Sequence, residues 1–239
     1  MSTTAYKFTR VLVESVLATI VFAFIAMFGF STIEPGVLNA QAAATTTSQF
    51  TTKQTITSEI SFLTAASNIV LSPSIGGITG GAATGTTQVV VYTNNTTGYT
   101  MTIAASGTVQ AMRGDTATTS YINNYSPAGN VPDFTFSTAG TFARFGFTVS
   151  ASSTADLAQK FLDNGGTCNT GAADTAGGAS CWTFASSTAT STIVTSAQSL
   201  VSGSTSTIFM HTFVPPNPNP ALPKDTYTAT TTLTAVTNP

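Results

Sequence analysis

The sequence predicts an all-β protein, an antiparallel β-sandwich of jelly-roll type preceded by an N-terminal hydrophobic helix. The first observation is composition: the 239 residues include 49 Thr and 25 Ser, and only 7% are charged, against about a quarter in an average globular protein. Threonine is β-branched and favours strands, whereas helix formers such as Glu, Lys and Arg are scarce. The second is pattern: after residue 43, short β-rich runs alternate with Gly, Asn, Ser and Pro clusters, and no helical period is sustained.

The first 42 residues have the pattern of an export signal. Lys7 and Arg10 precede an almost wholly apolar stretch over residues 11–30, which as a helix would span about 30 Å, the thickness of a hydrocarbon core. The Ala-Gln-Ala triplet at 40–42 has small residues at the two positions that signal peptidase reads. We therefore expect cleavage after Ala42 and an extracellular or cell-envelope location. The alternative is an uncleaved anchor, in which case the protein would contact the membrane through residues 11–30.

The predicted domain organisation has three parts. Residues 1–42 are the signal peptide or signal anchor. Residues 43–49, rich in Ala and Thr, form a flexible spacer. Residues 50–239 form one β-sandwich domain, which is long enough to bury a sizeable core.

A hairpin is the clearest local prediction. Gln88–Thr93 has the pattern of a buried strand, Asn94–Gly98 that of a turn, and Tyr99, Met101 and Ile103 alternate with threonines in a second strand. Further strands are predicted at Ile56–Phe62, Asn68–Leu71, an aromatic region from Phe134 to Val149, Thr192–Val194, Thr207–Val214 and Tyr227–Val236.

Four segments are predicted to lie outside strands. Ser153–Leu162 has the capping residues and apolar spacing of a short crossover helix. Ile75–Thr87 and Thr167–Ser180 are Gly/Ala-rich and read as exposed loops. The proline-rich stretch Pro215–Pro220 is expected to run extended between the two sheets, ahead of the last strand.

The only two cysteines, Cys168 and Cys181, follow an export signal, so we expect them to form a disulfide. Trp182 is expected to pack on that bridge. If its ring were exposed, it would instead be a candidate for stacking on a sugar.

Composition excludes several functions. A net charge of −2 with seven Lys and Arg leaves no basic patch, so we expect no nucleic-acid partner. One His and two Cys cannot build the usual zinc or iron–sulfur centres, so we expect no metal and no cofactor.

No serine has the G-x-S-x-G elbow of a hydrolase, and His211 lies between aromatic residues of a predicted strand. We predict no catalytic residues. The alternative, a secreted enzyme acting on polysaccharide, would need Asp133 or Glu59 as its acid.

A second alternative is a pilin-like filament subunit that keeps its N-terminal helix. Phe8-Thr9 followed by Glu14 and an apolar run is similar to the start of a type IV pilin. However, Lys7 stands where that pattern has Gly or Ala, and Glu14 is seventh from Phe8 instead of fifth.

Two segments carry a family resemblance, Gly98-Tyr99-Thr100-Met101-Thr102 and the segment from Asp225 to Pro239. The first resembles the Gly-Trp-x-Leu element, and the second the closing segment, of the WxL cell-wall surface domains of Gram-positive bacteria. Tyr99 and Leu233 stand at the two tryptophan positions of that pattern. The resemblance implies noncovalent attachment to the cell wall. Tyr99 is therefore a second candidate, in addition to Trp182, for stacking on a ligand.

Together these observations predict an exported, noncatalytic surface protein with a structural or adhesive role. Outward-facing strand positions would carry mostly Thr and Ser, whose hydroxyls can hydrogen-bond a glycan. A nearly uncharged face also offers little repulsion to a second copy. The expected partners are therefore a cell-wall polymer or glycan, or another molecule of the same protein.

Overall fold

The computed structural model describes residues 46–106, 111–175 and 177–239. The predicted export segment and the pilin-like residues lie outside these ranges. Within them no helix has the length and apolar character that a membrane crossing requires. The described residues form ten strands: β1 (Ile60–Thr64), β2 (Gly81–Thr93), β3 (Tyr99–Ala105), β4 (Ala111–Gly114), β5 (Tyr121–Asn124), β6 (Arg144–Ala151), β7 (Ser191–Ser196), β8 (Leu200–Val214), β9 (Tyr227–Thr228) and β10 (Thr231–Thr237).

The strands form two sheets, and the prediction of an all-β protein is confirmed. A seven-stranded sheet has the order β1-β2-β8-β6-β5-β4-β9, and a three-stranded sheet has the order β10-β3-β7. The smaller sheet is antiparallel. The larger one is mixed, because β5 pairs with β6 in parallel. The prediction of purely antiparallel pairing was therefore wrong at that one position, where an extended loop between β5 and β6 replaces a tight turn.

One apolar core joins the two sheets. Side chains at alternate positions of β2 and β8 point inward, as period-2 patterning requires. Burying a side chain of this size contributes about 1.5–3 kcal/mol, so this shared cluster is the main source of stability. Its members come from both sheets: Val89, Val91, Phe147, Val149, Ile208 and Met210 from the larger, and Tyr99, Met101, Ile103, Ile193 and Val194 from the smaller.

The turn Asn94–Gly98 is the most important correction to the sequence prediction. Both flanking strands exist, but β2 pairs with β1 and β8 while β3 pairs with β10 and β7. The turn therefore carries the chain from one sheet to the other and does not close a hairpin. The side-chain amide of Asn95 donates to the carbonyl oxygens of Gly98 (2.9 Å) and Asn238 (2.7 Å), which holds the turn against the end of β10.

One loop prediction and one strand prediction were also wrong. Gly81–Thr87 belongs to β2 instead of an exposed loop, because Ala83 and Thr87 alternate inward within it. Asn68–Leu71 forms no strand, and a single bridge at Ser72 replaces it. The aromatic region is a strand only over β6, where four consecutive residues are buried because loop segments cover the outer face.

The remaining segments differ from their predictions in detail. Ser153–Leu162 contains two 3₁₀ turns, at Thr154–Asp156 and Gln159–Phe161, and no α-helix. Pro215–Pro220 lies between β8 and β9, which belong to one sheet, so it does not bridge the sheets. The change of sheet occurs between β9 and β10, which divides the predicted strand Tyr227–Val236. Thr55–Pro239 form one compact unit.

We predict that Gly98→Ala strongly destabilises the protein. Gly98 has a φ of +79°, and a Cβ there would lie 2.1 Å from the carbonyl oxygen of Ser196, a backbone atom that cannot move without disturbing β7. Gly129 is a matched control, because its φ is +76° but a Cβ there meets nothing within 4 Å. In chemical unfolding, the free energy of unfolding should fall by about 3 kcal/mol for Gly98→Ala and by about 1 kcal/mol for Gly129→Ala. Equal losses would contradict the steric account.

Candidate functional site

The disulfide loop is confirmed as a structural element. Cys168 and Cys181 are bonded, with 5.6 Å between their Cα atoms, and both are buried in the main core. The bond joins two cysteines that are thirteen residues apart in sequence, and it limits the conformational freedom of the unfolded chain. The Gly/Ala-rich stretch inside it is therefore anchored at both ends.

The carboxylate of Asp163 stabilises the same loop by hydrogen bonds. Its carboxylate is 1% exposed and accepts hydrogen bonds from the backbone N–H of Gly165 (2.7 Å), the backbone N–H and hydroxyl of Thr175, and the hydroxyl of Ser180 (3.2 Å). Burial alone would raise the pKa of Asp163, but these hydrogen bonds outweigh it and hold the pKa below its ordinary value. The carboxylate is thus fully engaged in structure.

Trp182 lies in an aromatic layer on the outer side of the larger sheet. Its ring meets Phe136 edge-on at 5.6 Å and His211 at 5.2 Å, and the side chain is 7% exposed. Burial lowers the pKa of His211, which keeps the imidazole neutral near pH 7. Both side chains therefore serve packing, and Trp182 offers no open ring face to a sugar in this conformation.

Tyr99, the second candidate for stacking, is fully buried between the sheets. Burial raises the pKa of its phenol, so the group stays neutral. A stacking platform requires a ring face that a ligand can reach. The position that carries the resemblance to a wall-binding tryptophan is therefore a core position in this protein.

The two candidate acids of the enzyme alternative are not brought together. Asp133 accepts a hydrogen bond from the Tyr125 hydroxyl, and burial together with this bond raises the pKa of Tyr125 to about 12. Asp133 pairs with the segment that covers β6, whereas Glu59 directly precedes the edge strand β1. Three strand spacings separate β1 from β6, about 14 Å, and a glycosidase pair needs at most about 9.5 Å.

The outer face of the three-stranded sheet is a row of threonines, here called the threonine face. Because Tyr99, Met101 and Ile103 point into the core, Thr100 and Thr102 point outward. The register places Thr234 and Thr192 on either side of Thr102, and Val236 and Thr195 on either side of Thr100. Neighbouring strands are about 4.8 Å apart. The Thr100 hydroxyl donates to Asn238 Oδ1 (2.8 Å), so the face presents the hydroxyls of Thr102, Thr192, Thr195 and Thr234 and carries no charge at these positions.

A groove opens at the β7 edge of this face, and we call it the Lys160 groove. It is a shallow groove, open to solvent, with a volume of about 480 Å³. Thr190, Ser191 and Thr192 form one side. Thr192 thus belongs both to the threonine face, opposite Thr102, and to the groove.

Apolar and basic groups complete the groove. Pro127, Pro132 and Phe184 form its apolar wall, and Lys160 is the one charged side chain among the described residues that line it. Lys160 Nζ donates to the hydroxyl of Ser191 and lies 5.2 Å from the centre of the Phe161 ring. Burial lowers the pKa of Lys160.

Sequence reasoning did not identify Lys160. A lone lysine in a predicted helix gave no signal, because the groove is assembled from segments far apart in sequence. No cluster of His, Cys, Asp or Glu in the described ranges has the geometry of a metal site.

No protein-family model matches the chain, and no curated protein and no solved structure is detectably similar to it.

We predict that Asp163→Asn destabilises the protein in a pH-dependent way. At pH 7 the loss should be about 3 kcal/mol, because buried donors lose a charged acceptor. The folded-state pKa of Asp163 lies below 3.8, so its stabilising contribution is present above that value and disappears as the pH falls through the folded-state pKa. The difference in the free energy of unfolding between wild type and variant, measured by chemical unfolding, should therefore become smaller below pH 3.8. The exposed Asp115→Asn is the control. A difference that does not change with pH would contradict this role.

Proposed function

We propose that this protein is an exported, noncatalytic component of the bacterial cell surface that binds a cell-wall polymer or glycan through the threonine face. The observation that carries the proposal is the cross-strand row Thr234–Thr102–Thr192. In this proposal the two sheets form a sandwich of jelly-roll type, and the N-terminal export segment precedes it.

The chemistry of the face supports a polysaccharide as the ligand. Each threonine hydroxyl both donates and accepts a hydrogen bond, which matches the hydroxyls of a sugar. Thr195, Thr232 and Thr234 are exposed, and no charged residue lies in these rows. An extended polymer can therefore contact several equivalent hydroxyls at once, and many weak contacts add up to useful avidity.

The edge position of β10 also supports attachment through this sheet. β3 and β10 are hydrogen-bonded neighbours along seven residue pairs, and they contain the two segments that resemble wall-binding domains. Self-association is the competing role, because the same uncharged face could meet a second copy. The experiment below distinguishes them.

The test is sedimentation of the full-length chain, in mild detergent, with insoluble cell-wall material. We expect wild type to pellet with the wall material and to remain monomeric by light scattering without it. The double variant Thr102→Val/Thr234→Val removes two hydroxyls and keeps the β-branched shape, so its bound fraction should fall about tenfold with little change in stability.

Thr86→Val, on an exposed position of β2, is the matched control and should bind like wild type. Equal pelleting of all three proteins would refute the threonine face as the binding surface. Concentration-dependent oligomers that Thr102→Val/Thr234→Val abolishes, without wall binding, would assign the face to self-association instead.

A further inference from the structure

The charge of Lys160 has no counter-charge in the groove. Its ammonium group donates to one neutral acceptor, the Ser191 hydroxyl, and lies over the Phe161 ring. Burial is the one cause of its lowered pKa, and no carboxylate in the described structure offsets that burial. A half-buried ammonium group that is incompletely hydrated and has no counter-ion is stabilised when an anion binds beside it.

The walls of the groove indicate what else that anion must carry. Pro127, Pro132 and Phe184 provide an apolar surface, while Thr190 and Thr192 provide hydroxyls and Gln159 provides an amide. A sugar ring has an apolar C–H face and a hydroxyl edge, so it can contact both kinds of wall. A ring that also bears a carboxylate would satisfy Lys160.

We infer that the Lys160 groove binds a uronic acid residue of an acidic polysaccharide, with the carboxylate on Lys160 Nζ and the ring against the Pro127, Pro132 and Phe184 wall. This inference rests on the proposed function, because Thr192 belongs to both surfaces and a polymer lying on the threonine face therefore reaches the groove. The threonine face supplies general affinity for polysaccharide, and Lys160 supplies selection of acidic over neutral chains.

The experiment compares two soluble probes, oligogalacturonate and neutral galactose oligomers of the same length, by calorimetric titration of the full-length chain. Because a charge-assisted hydrogen bond is stronger than a neutral one, wild type should bind the acidic probe at least about tenfold more tightly. Lys160→Met should bind both probes equally, and Lys160→Arg should keep a preference for the acidic one. Lys224→Met, which removes an exposed positive charge outside the groove, should behave like wild type.

The pH dependence gives a second readout. Lys160 is the one titratable group on the described walls of the groove, and its free-state pKa lies below 10.5. Carboxylate binding stabilises the ammonium form, so affinity for oligogalacturonate should fall as the pH rises through the Lys160 pKa. Affinity for the neutral probe should not change over that range, and Lys160→Met should show no change for either probe.

The outcomes separate this inference from the proposed function. If wild type pellets with wall material but binds both probes equally, the inference is wrong and the proposed function stands. If Lys160→Met keeps the acidic preference, or if inorganic phosphate displaces oligogalacturonate at equal concentration, the uronic acid assignment is wrong. If wild type binds neither probe nor the wall, both fail. Loss of the acidic preference in Lys160→Met alone, with pelleting retained, supports both.

Discussion

The apolar core shared by the two sheets is the constraint on which the rest of the structure depends. The smaller sheet has only three strands, and it buries its apolar face where Tyr99, Met101 and Ile103 join Val89, Phe147 and Ile208 of the larger sheet in one cluster. Each of its strands is entered from a strand of the other sheet: β2 leads to β3, β6 to β7, and β9 to β10. At these three points, strands that are consecutive along the chain therefore belong to opposite sheets and are not hydrogen-bonded neighbours.

This arrangement explains what the sequence could and could not reveal. Alternation marks which side chains face inward, so the existence of β2, β3, β7 and β8 was predictable from residues 88–93 and 99–103 and the later Thr-rich runs. Alternation does not reveal which strand is the neighbour. The turn Asn94–Gly98 has the composition of a hairpin loop, yet β2 and β3 lie in different sheets, and Gly98 packs against the backbone of Ser196 at the end of β7. That contact joins residues about a hundred positions apart, and local patterns carry no information about it.

The candidate site shows the same division. The abundance of outward-facing threonine was predictable from composition, and it is found on the outer face of β3, β7 and β10. The two positions singled out as candidates for stacking, Trp182 and Tyr99, are buried, because aromatic side chains are most stable where they bury the most surface. Lys160 could not be identified from the sequence, because its importance arises from what surrounds it: five Ser and Thr residues, an apolar wall and the absence of a described carboxylate partner.

The clamp at Asn238 has a consequence for biosynthesis. Its side chain and backbone bond to Thr97, Gly98 and Ser196, and β10 pairs with β3 across 126 to 138 residues of sequence, from Thr231↔Ala105 to Thr237↔Tyr99. A nascent polypeptide that has emerged only as far as β8 lacks one edge of the smaller sheet and leaves the crossing turn unsecured. The smaller sheet is therefore completed only once residue 238 is available, because contacts between residues this far apart in sequence form slowly.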